Sequence, residues 1–280
     1  MLNDESMFAK TLERNLIKKY RKSIWVKFTR AVKTYALIQE QDKIMVCISG
    51  GKDSFLLAKC IQELQRHGQI AFTAEYVVMD PGYREDNLAS IQKNANQMNI
   101  PIRFFSTEIF DIVAGIEESP CYLCARMRRG HLYAKAQELG CNKIALGHHF
   151  DDVVETILMN MLYGGQIKTM LPKLHSKNFK GMELIRPLSF IKEEDIKHFW
   201  TFHGSEFLQC GCRFTECSPD EQKISKRREM KELVSHLRKL NPLMDQNIFH
   251  SMENIRLDTV VAYHKKGEFH HFLDEYDQRE

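Results

Sequence analysis

Three short stretches concentrate the residues that can do chemistry. "SGGKDS", residues 49–54, sets two glycines, a lysine, an aspartate and two serines directly after the apolar run "KIMVCI". Gly50 and Gly51 lack Cβ atoms, so the turn can take positive φ and bring backbone N–H groups close to phosphate oxygens. A helix opening near Asp53 adds free N–H donors and the positive end of its dipole, worth about 0.3–1 kcal/mol for an exposed anionic charge. Lys52 supplies a cation, and Ser49 and Ser54 supply hydroxyls. The loop is not of the Walker type: Val46 stands where that motif needs its first glycine, and Asp53 replaces the Ser/Thr after the lysine. Nor is it G-x-G-x-x-G. A turn that only joined strand to helix would have no use for so polar a set.

The second stretch, "SPCYLCARMRRGHLY", places Cys121 and Cys124 as a C-x-x-C directly before a basic helix; a third region, "LQCGCRFTEC", supplies Cys210, Cys212 and Cys217. Two thiolates at that spacing can ligate one soft metal or cluster, with the helix N-terminus and Arg126 lowering their pKa. A thioredoxin-like redox pair would follow a strand directly, whereas a loop is expected here. Structural zinc is a rival, since C-x-x-C plus C-x-C could complete four thiolates. Cys47, Cys60 and Cys141 fall in or beside apolar elements and read as packing residues. In "KIALGHHFDD", Gly147 allows close backbone approach at a strand end, and His148, His149, Asp151 and Asp152 crowd a helix start. One acid there can be an N-cap. Two histidines and two aspartates favour magnesium or nucleotide contact.

The elements that position these stretches alternate. Apolar positions at Leu12, Leu16, Trp25, Phe28, Val32 and Leu37 predict one or two N-terminal helices. Strands are expected at 43–49, 72–80, 102–107, 143–147 and 182–188, with helices at 53–67, 85–98, 125–139, 151–163 and 192–202. Such alternation predicts an α/β fold with a doubly wound, mainly parallel five-stranded sheet. Ligands then bind beyond the carboxyl ends of the strands, where Ser49, Asp80 and Gly147 fall. The expected organisation is a basic helical region at 1–40, a nucleotide domain at 41–204 and a helical, cysteine-bearing C-terminal region at 205–280 packed on the same domain.

Composition bounds the reading. The chain has 280 residues, 43% of them apolar, enough for a packed core. No apolar run approaches the roughly 20 residues of a membrane span. The start "MLNDESMFAK" lacks the apolar stretch of a secretory signal, so the cytosol is the expected address and the eight cysteines are expected to stay reduced. Net charge is only +3, but residues 10–33 hold nine basic side chains against one acid, Glu13. Further basic runs cover Arg126, Arg128 and Arg129, and Lys223, Lys226, Arg227, Arg228 and Lys231. Any one run is best read as a solvated helix face; three in a near-neutral chain point to a polyanionic partner.

"SGGKDS" after an apolar strand resembles the PP-loop signature of the N-type ATP pyrophosphatases. With "LERNLIKKYRK", "VVMDPGY", "CYLCARMRRG", "KIALGHHFDD", "MNMLYGG", "IRPL" and the late cysteines, nearly the whole chain resembles the tRNA 2-thiocytidine synthetases (TtcA-like). The resemblance implies a PP-loop, HUP-like sheet and ATP cleavage between the α- and β-phosphates. It implies that Ser49, Gly50, Gly51, Lys52, Asp53 and Ser54 hold the β/γ-phosphates, with Asp80, Gly147 and His148 near the adenosine. Lys52, Asp53 and Asp151, with Mg2+, are the expected catalytic set. A [4Fe–4S] cluster held by three cysteines is implied, Cys121 and Cys124 matching the first two; Cys210 and Cys212 both qualify as the third, since C-x-C stands where C-x-x-C is expected. The implied partners are tRNA and a sulfur donor, a cysteine desulfurase or sulfide, with no membrane and with room for a homodimer. Other PP-loop reactions, giving 2-thiouridine or lysidine, and a nucleotide-binding module with structural zinc are the alternatives.

Overall fold

The computed structural model describes residues 2–113, 120–208 and 226–278. α1 (Leu2–Ile17) passes through a π-helical turn (Arg21–Trp25) into α2 (Val26–Thr34). The sheet domain follows as β1 (Lys43–Ile48), α3 (Lys52–His67), β2 (Thr73–Asp80), α4 (Glu85–Gln97), β3 (Ile102–Ser106), α5 (Ile109–Val113), α6 (Pro120–Glu138), β4 (Lys143–Ala145) and α7 (Phe150–Gly164). β5 (Lys173–His175), β6 (Glu183–Ile185) and α8 (Glu193–Phe202) complete it. Beyond lie α9 (Lys226–Leu240), α10 (Met244–Ser251), β7 (Ala262–Lys265) and β8 (Glu268–His271).

The sheet has six strands in the order β3-β2-β1-β4-β6-β5, parallel except for β5, which runs antiparallel to β6. The doubly wound expectation is met, with one strand more than the five expected. The added β5 is three residues, "KLH", half-buried to exposed, and so carries no apolar alternation to betray it. The C-terminal region, expected to be helical and loopy, also holds the β7–β8 hairpin, turning through Lys266 and Gly267 at positive φ.

β1 explains the layering. Ile44, Met45, Val46 and Ile48 are all buried, the continuous apolar pattern of a parallel strand covered on both faces. Ile44, Val46 and Ile48 join one cluster with Leu12, Leu16, Phe28, Phe55, Leu56, Ile91, Phe199 and Trp200 from α1, α2, α3, α4 and α8. Met45, with Val77, Ile144 and Leu184, packs on Tyr133 and Ala136 of α6. The chain divides into two compact units, residues 2–153 with 170–208, and residues 154–169 with 226–278.

Two buried lysines brace the first unit. Lys59 on α3 donates to Glu13 Oε1 and Gln62 Oε1 at 2.7 Å and to the Met98 carbonyl at 2.9 Å, tying α1 to α3 and to the end of α4. Lys143 at the start of β4 pairs with Asp42 (2.7 Å) and Glu183 (3.2 Å) and donates to the Leu37 carbonyl at 3.0 Å. Removing one partner of a buried pair strands the other charge at a cost of about 3–5 kcal/mol. Lys59→Ala should therefore lower the urea midpoint with little change in slope, by less than that full cost because Arg66 still pairs with Glu13 at 2.8 Å. Burial pushes the Glu13 carboxyl up, but Lys59 and Arg66 outweigh it and hold it below its ordinary value of 4.5. Its contribution is then complete above that ordinary value and is lost as pH falls through the lower folded-state value. Acid titration of stability should show this loss in the parent and not in Glu13→Gln.

Candidate active site

In the strand order the chain winds one way from β1 through β2 to β3 and the other way through β4 and β6. The reversal lies between β1 and β4, where a crevice opens beyond the carboxyl ends. The loop after β1 and the loop after β4 meet there. A Cβ on Gly147 would stand 3.1 Å from the Asp53 carbonyl carbon and from the Ser54 nitrogen, backbone atoms that cannot swing aside. Glycine at 147 lets the second loop press on the first turn of α3.

The two loop glycines have different reasons. Gly50 takes φ +86°, and a Cβ there would meet Ile91 and Leu208 side-chain carbons at 2.9 Å, so the protein's own packing requires it. Gly51, at φ −85° and ψ 160°, has an ordinary extended backbone. A Cβ on it would meet only Ser49 Oγ at 3.7 Å and the Leu208 carbonyl at 3.8 Å. The fold makes no demand there, which leaves the cradle over the α3 N-terminus to a ligand. The Ser54 hydroxyl donates to the Gly51 carbonyl at 2.8 Å and accepts from the Ser49 N–H (3.2 Å) and hydroxyl (3.3 Å), closing the turn.

Lys52 lies 2.9 Å from Asp53 Oδ2 and 3.1 Å from Glu193 Oε1. Burial alone would lower its pKa, but the two carboxylates outweigh that and hold the ammonium above its ordinary value. Its carbonyl accepts the Trp200 indole N–H at 2.9 Å, and the Glu193 N–H donates to Asp151 Oδ2 at 2.7 Å. α8 thus clasps the loop from outside through Glu193 and Trp200. At the α7 entrance, the His149 N–H donates to Asp152 Oδ2 (2.9 Å) and the Asp152 N–H to His149 Nδ1 (3.4 Å). His149 Nε2 stands 4.0 Å from Asp53 Oδ1, a buried oxygen with no hydrogen-bond partner.

A cavity of about 280 Å3 opens between these groups. Ser49, Asp53, Ser54, His148, Asp152 and Arg128 are among its polar lining residues, and Val77, Met79, Leu132 and Leu146 among its apolar ones. Polar groups beside a helix N-terminus together with apolar side chains suit a nucleotide's phosphates and base. Asp53 and Asp152 are the carboxylates at the cavity, and the orphaned Asp53 Oδ1 fits a hard cation. Among the described residues no group of three or more His, Cys, Asp and Glu forms a complete metal site. Magnesium would take its other ligands from phosphate and water, as that ion commonly does.

Of the residues expected at the site, Ser49, Asp53, Ser54, Gly147 and His148 line the cavity. Asp80 sits at the end of β2 but turns inward, accepting the Gly82 and Tyr83 N–H groups at 2.8 and 2.7 Å; it shapes the turn that brings Tyr83 to the cavity. Asp151 acts on α8 through Glu193. Cys121 and Cys124, expected in a loop before the helix, lie within the first two turns of α6, because Pro120 is suited to a first helical position. Cys210, Cys212 and Cys217 lie outside the described residues. Cys60 and Cys141 are buried core thiols, whereas Cys47 is half-buried and lines the cavity; burial pushes all three up, Cys141 to about 11.

Glu193, Trp200, Arg186 and Arg128 escape sequence reasoning. Glu193 opens an acidic helix start that any helix N-terminus favours. Arg186 follows β6 and donates from Nε to His148 Nδ1 at 3.3 Å, and burial pulls it down to about 10. Of the basic runs, Lys27 pairs with Asp195 (2.7 Å) and Arg227 with Glu155 (3.1 Å), whereas Lys10, Arg14, Lys18, Arg21, Lys22 and Lys33 are exposed. Among the described residues no helix is long and apolar enough to cross a membrane.

The sequence matches the PP-loop domain family over residues 20–210. It is 36% identical over 255 residues to a tRNA-cytidine(32) 2-sulfurtransferase of Alcanivorax borkumensis, covering 88% of this chain and 86% of that protein. It is 38% identical over 231 residues to the Paraburkholderia xenovorans protein of the same name, covering 80% and 66%. Among solved structures, the U34-tRNA thiolase NcsA from Methanococcus maripaludis with its [4Fe-4S] cluster shares the fold at a TM-score of 0.63 and 22% identity, over 82% of this chain and 78% of that one.

The two glycines should separate by experiment. Gly51→Ala should fold with unchanged or slightly raised stability, since Gly→Ala at a compatible backbone gains about 0.4–1 kcal/mol. It should nevertheless weaken ATP binding at least about tenfold, roughly 1.4 kcal/mol, in calorimetric titration. Gly147→Ala should lower both thermal stability and ATP affinity, because its Cβ presses on backbone.

Proposed function

Because the chain belongs to the PP-loop family and, within it, to the tRNA-cytidine(32) 2-sulfurtransferases, we infer that it activates a tRNA cytidine with ATP and replaces its 2-oxygen by sulfur. The observation that carries this reading is that α6, with Cys121 and Cys124 in its first two turns, also walls the phosphate-loop cavity through Arg128 and Leu132. Nucleotide activation and thiolate chemistry therefore share one helix.

The β- and γ-phosphates rest on residues 49–54, and the adenosine lies toward Val77, Met79 and Gly147–His148. The cytidine comes from a single-stranded anticodon loop, where unstacking a base is cheap. Its 2-oxygen attacks the α-phosphorus, the bond to the bridging oxygen breaks, and pyrophosphate leaves. Lys52, kept charged by Asp53 and Glu193, meets the negative charge that develops. Magnesium, when bound at Asp53 and Asp152, would supply further neutralisation of the phosphates. Asp151 holds Glu193, and through it the lysine. Cys121 and Cys124, with Cys210 or Cys212, would hold a [4Fe–4S] cluster, which when bound supplies a site for sulfide. Cys60 and Cys141 are buried and stand apart from these candidates. The exposed basic face of α1 and α2 is available to track the tRNA backbone.

The partners in this reading are tRNA and a sulfur donor, a desulfurase or sulfide itself. Nucleoside analysis of tRNA from a strain lacking the protein should show loss of 2-thiocytidine; loss of a different thionucleoside would keep the fold and change the substrate. Cys121→Ala should abolish thiolation while leaving tRNA-dependent pyrophosphate release largely intact. A colourless zinc protein with full activity after anaerobic purification would sink the cluster assignment. tRNA affinity should fall steeply with salt, by about tenfold or more between 50 and 200 mM if several phosphates are neutralised.

A further inference from the structure

Arg128 stands apart from the other cations of the first unit. It lies in the middle of α6 and lines the phosphate-loop cavity, half-buried. Its Nε is buried with no hydrogen-bond partner, and no carboxylate lies within ion-pair distance among the described residues. Its guanidinium carbon sits 5.6 Å from the Phe110 ring centroid. The contrast with Lys52 is direct, since two carboxylates flank that ammonium. A guanidinium is always charged and presents a planar fork suited to phosphate, so one held at a nucleotide cavity without a counter-ion is prepared for an anion.

Which phosphate it meets follows from what the other donors already cover. The loop N–H groups, the α3 N-terminus and Lys52 serve the β- and γ-phosphates. In an in-line transfer, the α-phosphate lies between the departing pyrophosphate and the attacking base. The base must in turn lie toward the cysteine end of α6. Arg128 is four residues past Cys124, about one turn, or roughly 6 Å along the axis. It is the cavity-lining cation between the loop and the cysteine turn.

We propose that Arg128 is a catalytic residue that binds the α-phosphate and keeps hold of it through both halves of the reaction. The proposal rests on the thiolation reading above. In the first half, the cytidine 2-oxygen bonds to the α-phosphorus and the electron pair of the cleaved P–O bond leaves with pyrophosphate. Arg128 then meets the charge on the non-bridging oxygens. In the second half, a sulfide-level nucleophile bonds to C2, the C2–O bond breaks with its electron pair going to AMP, and the sulfur loses its proton. The phosphate passes from a singly charged diester to AMP, whose second charge grows as the bond breaks, so the same guanidinium stabilises the leaving group.

The test is tRNA-dependent pyrophosphate release and 2-thiocytidine formation by the reconstituted holoenzyme, with ATP and AMP binding measured separately by calorimetry. Arg128→Ala should reduce the turnover of pyrophosphate release on the order of 10²–10³-fold, the loss typical for removing one oxyanion donor. KM for ATP should change far less, because the β- and γ-phosphate contacts remain. AMP binding should weaken more than ATP binding for the same reason. Arg128→Lys should recover part of the rate, and millimolar guanidinium added to Arg128→Ala should recover part as well. A merely structural role would produce neither rescue. Unchanged turnover in Arg128→Ala, or a loss that neither lysine nor guanidinium relieves, would overturn the proposal. Failure of the underlying reading looks different: the parent enzyme would itself release no pyrophosphate in response to tRNA.

Discussion

The contact on which the site depends is the approach of the β4–α7 loop to the first turn of α3. At the reversal of strand order two loops must share one crevice, and Gly147 brings them within van der Waals reach of each other's backbone. That approach sets His148, His149 and Asp152 opposite Ser49, Asp53 and Ser54, so one cavity is lined by both loops. It also positions the unpartnered Asp53 oxygen inside the site.

Charge in this molecule is divided between bracing and binding. Lys59 and Lys143 are buried and fully paired, holding α1, α3 and the sheet together. α8 spends its first-turn acids on Lys52 and Lys27, and its indole on the Lys52 carbonyl, which turns an ordinary amphipathic helix into a clasp for the phosphate loop. A buried charge that is paired is expensive to break, and so it fixes geometry rather than affinity. The surface lysines and arginines of α1 and α2 are free of that duty for the most part and remain exposed to a polyanion.

The cysteines divide by the same logic of environment. Burial pushes the thiols of Cys47, Cys60 and Cys141 up, away from the thiolate that a ligand or nucleophile needs. Cys121 and Cys124 stand near the start of α6. Starting α6 at Pro120 rather than after the cysteines makes the pair part of a rigid element that continues into the nucleotide cavity.

By itself the sequence determined the alternation of strands and helices and set "SGGKDS" and "GHHFDD" at strand-to-helix turns, because these are written in local periodicity and in residue types that have few other uses. Leu12, Leu16 and Phe28 are buried as their spacing implies. It missed β5, whose three residues carry no pattern, and the β7–β8 hairpin, whose polar and aromatic residues resemble a loop. The resemblance pointed to Asp151 and not Asp152 for the catalytic set, since adjacent acids at a helix start look alike until the helix is rotated into place. Tertiary structure decided that Asp152 faces the cavity while Asp151 holds α8, and that Glu193 and Trp200 reach Lys52 across more than a hundred residues of chain. It also set Arg128 in the cavity lining with no carboxylate at ion-pair distance among the described residues. Such pairings arise from the order in which strands pack, a long-range choice that no window of neighbouring residues records.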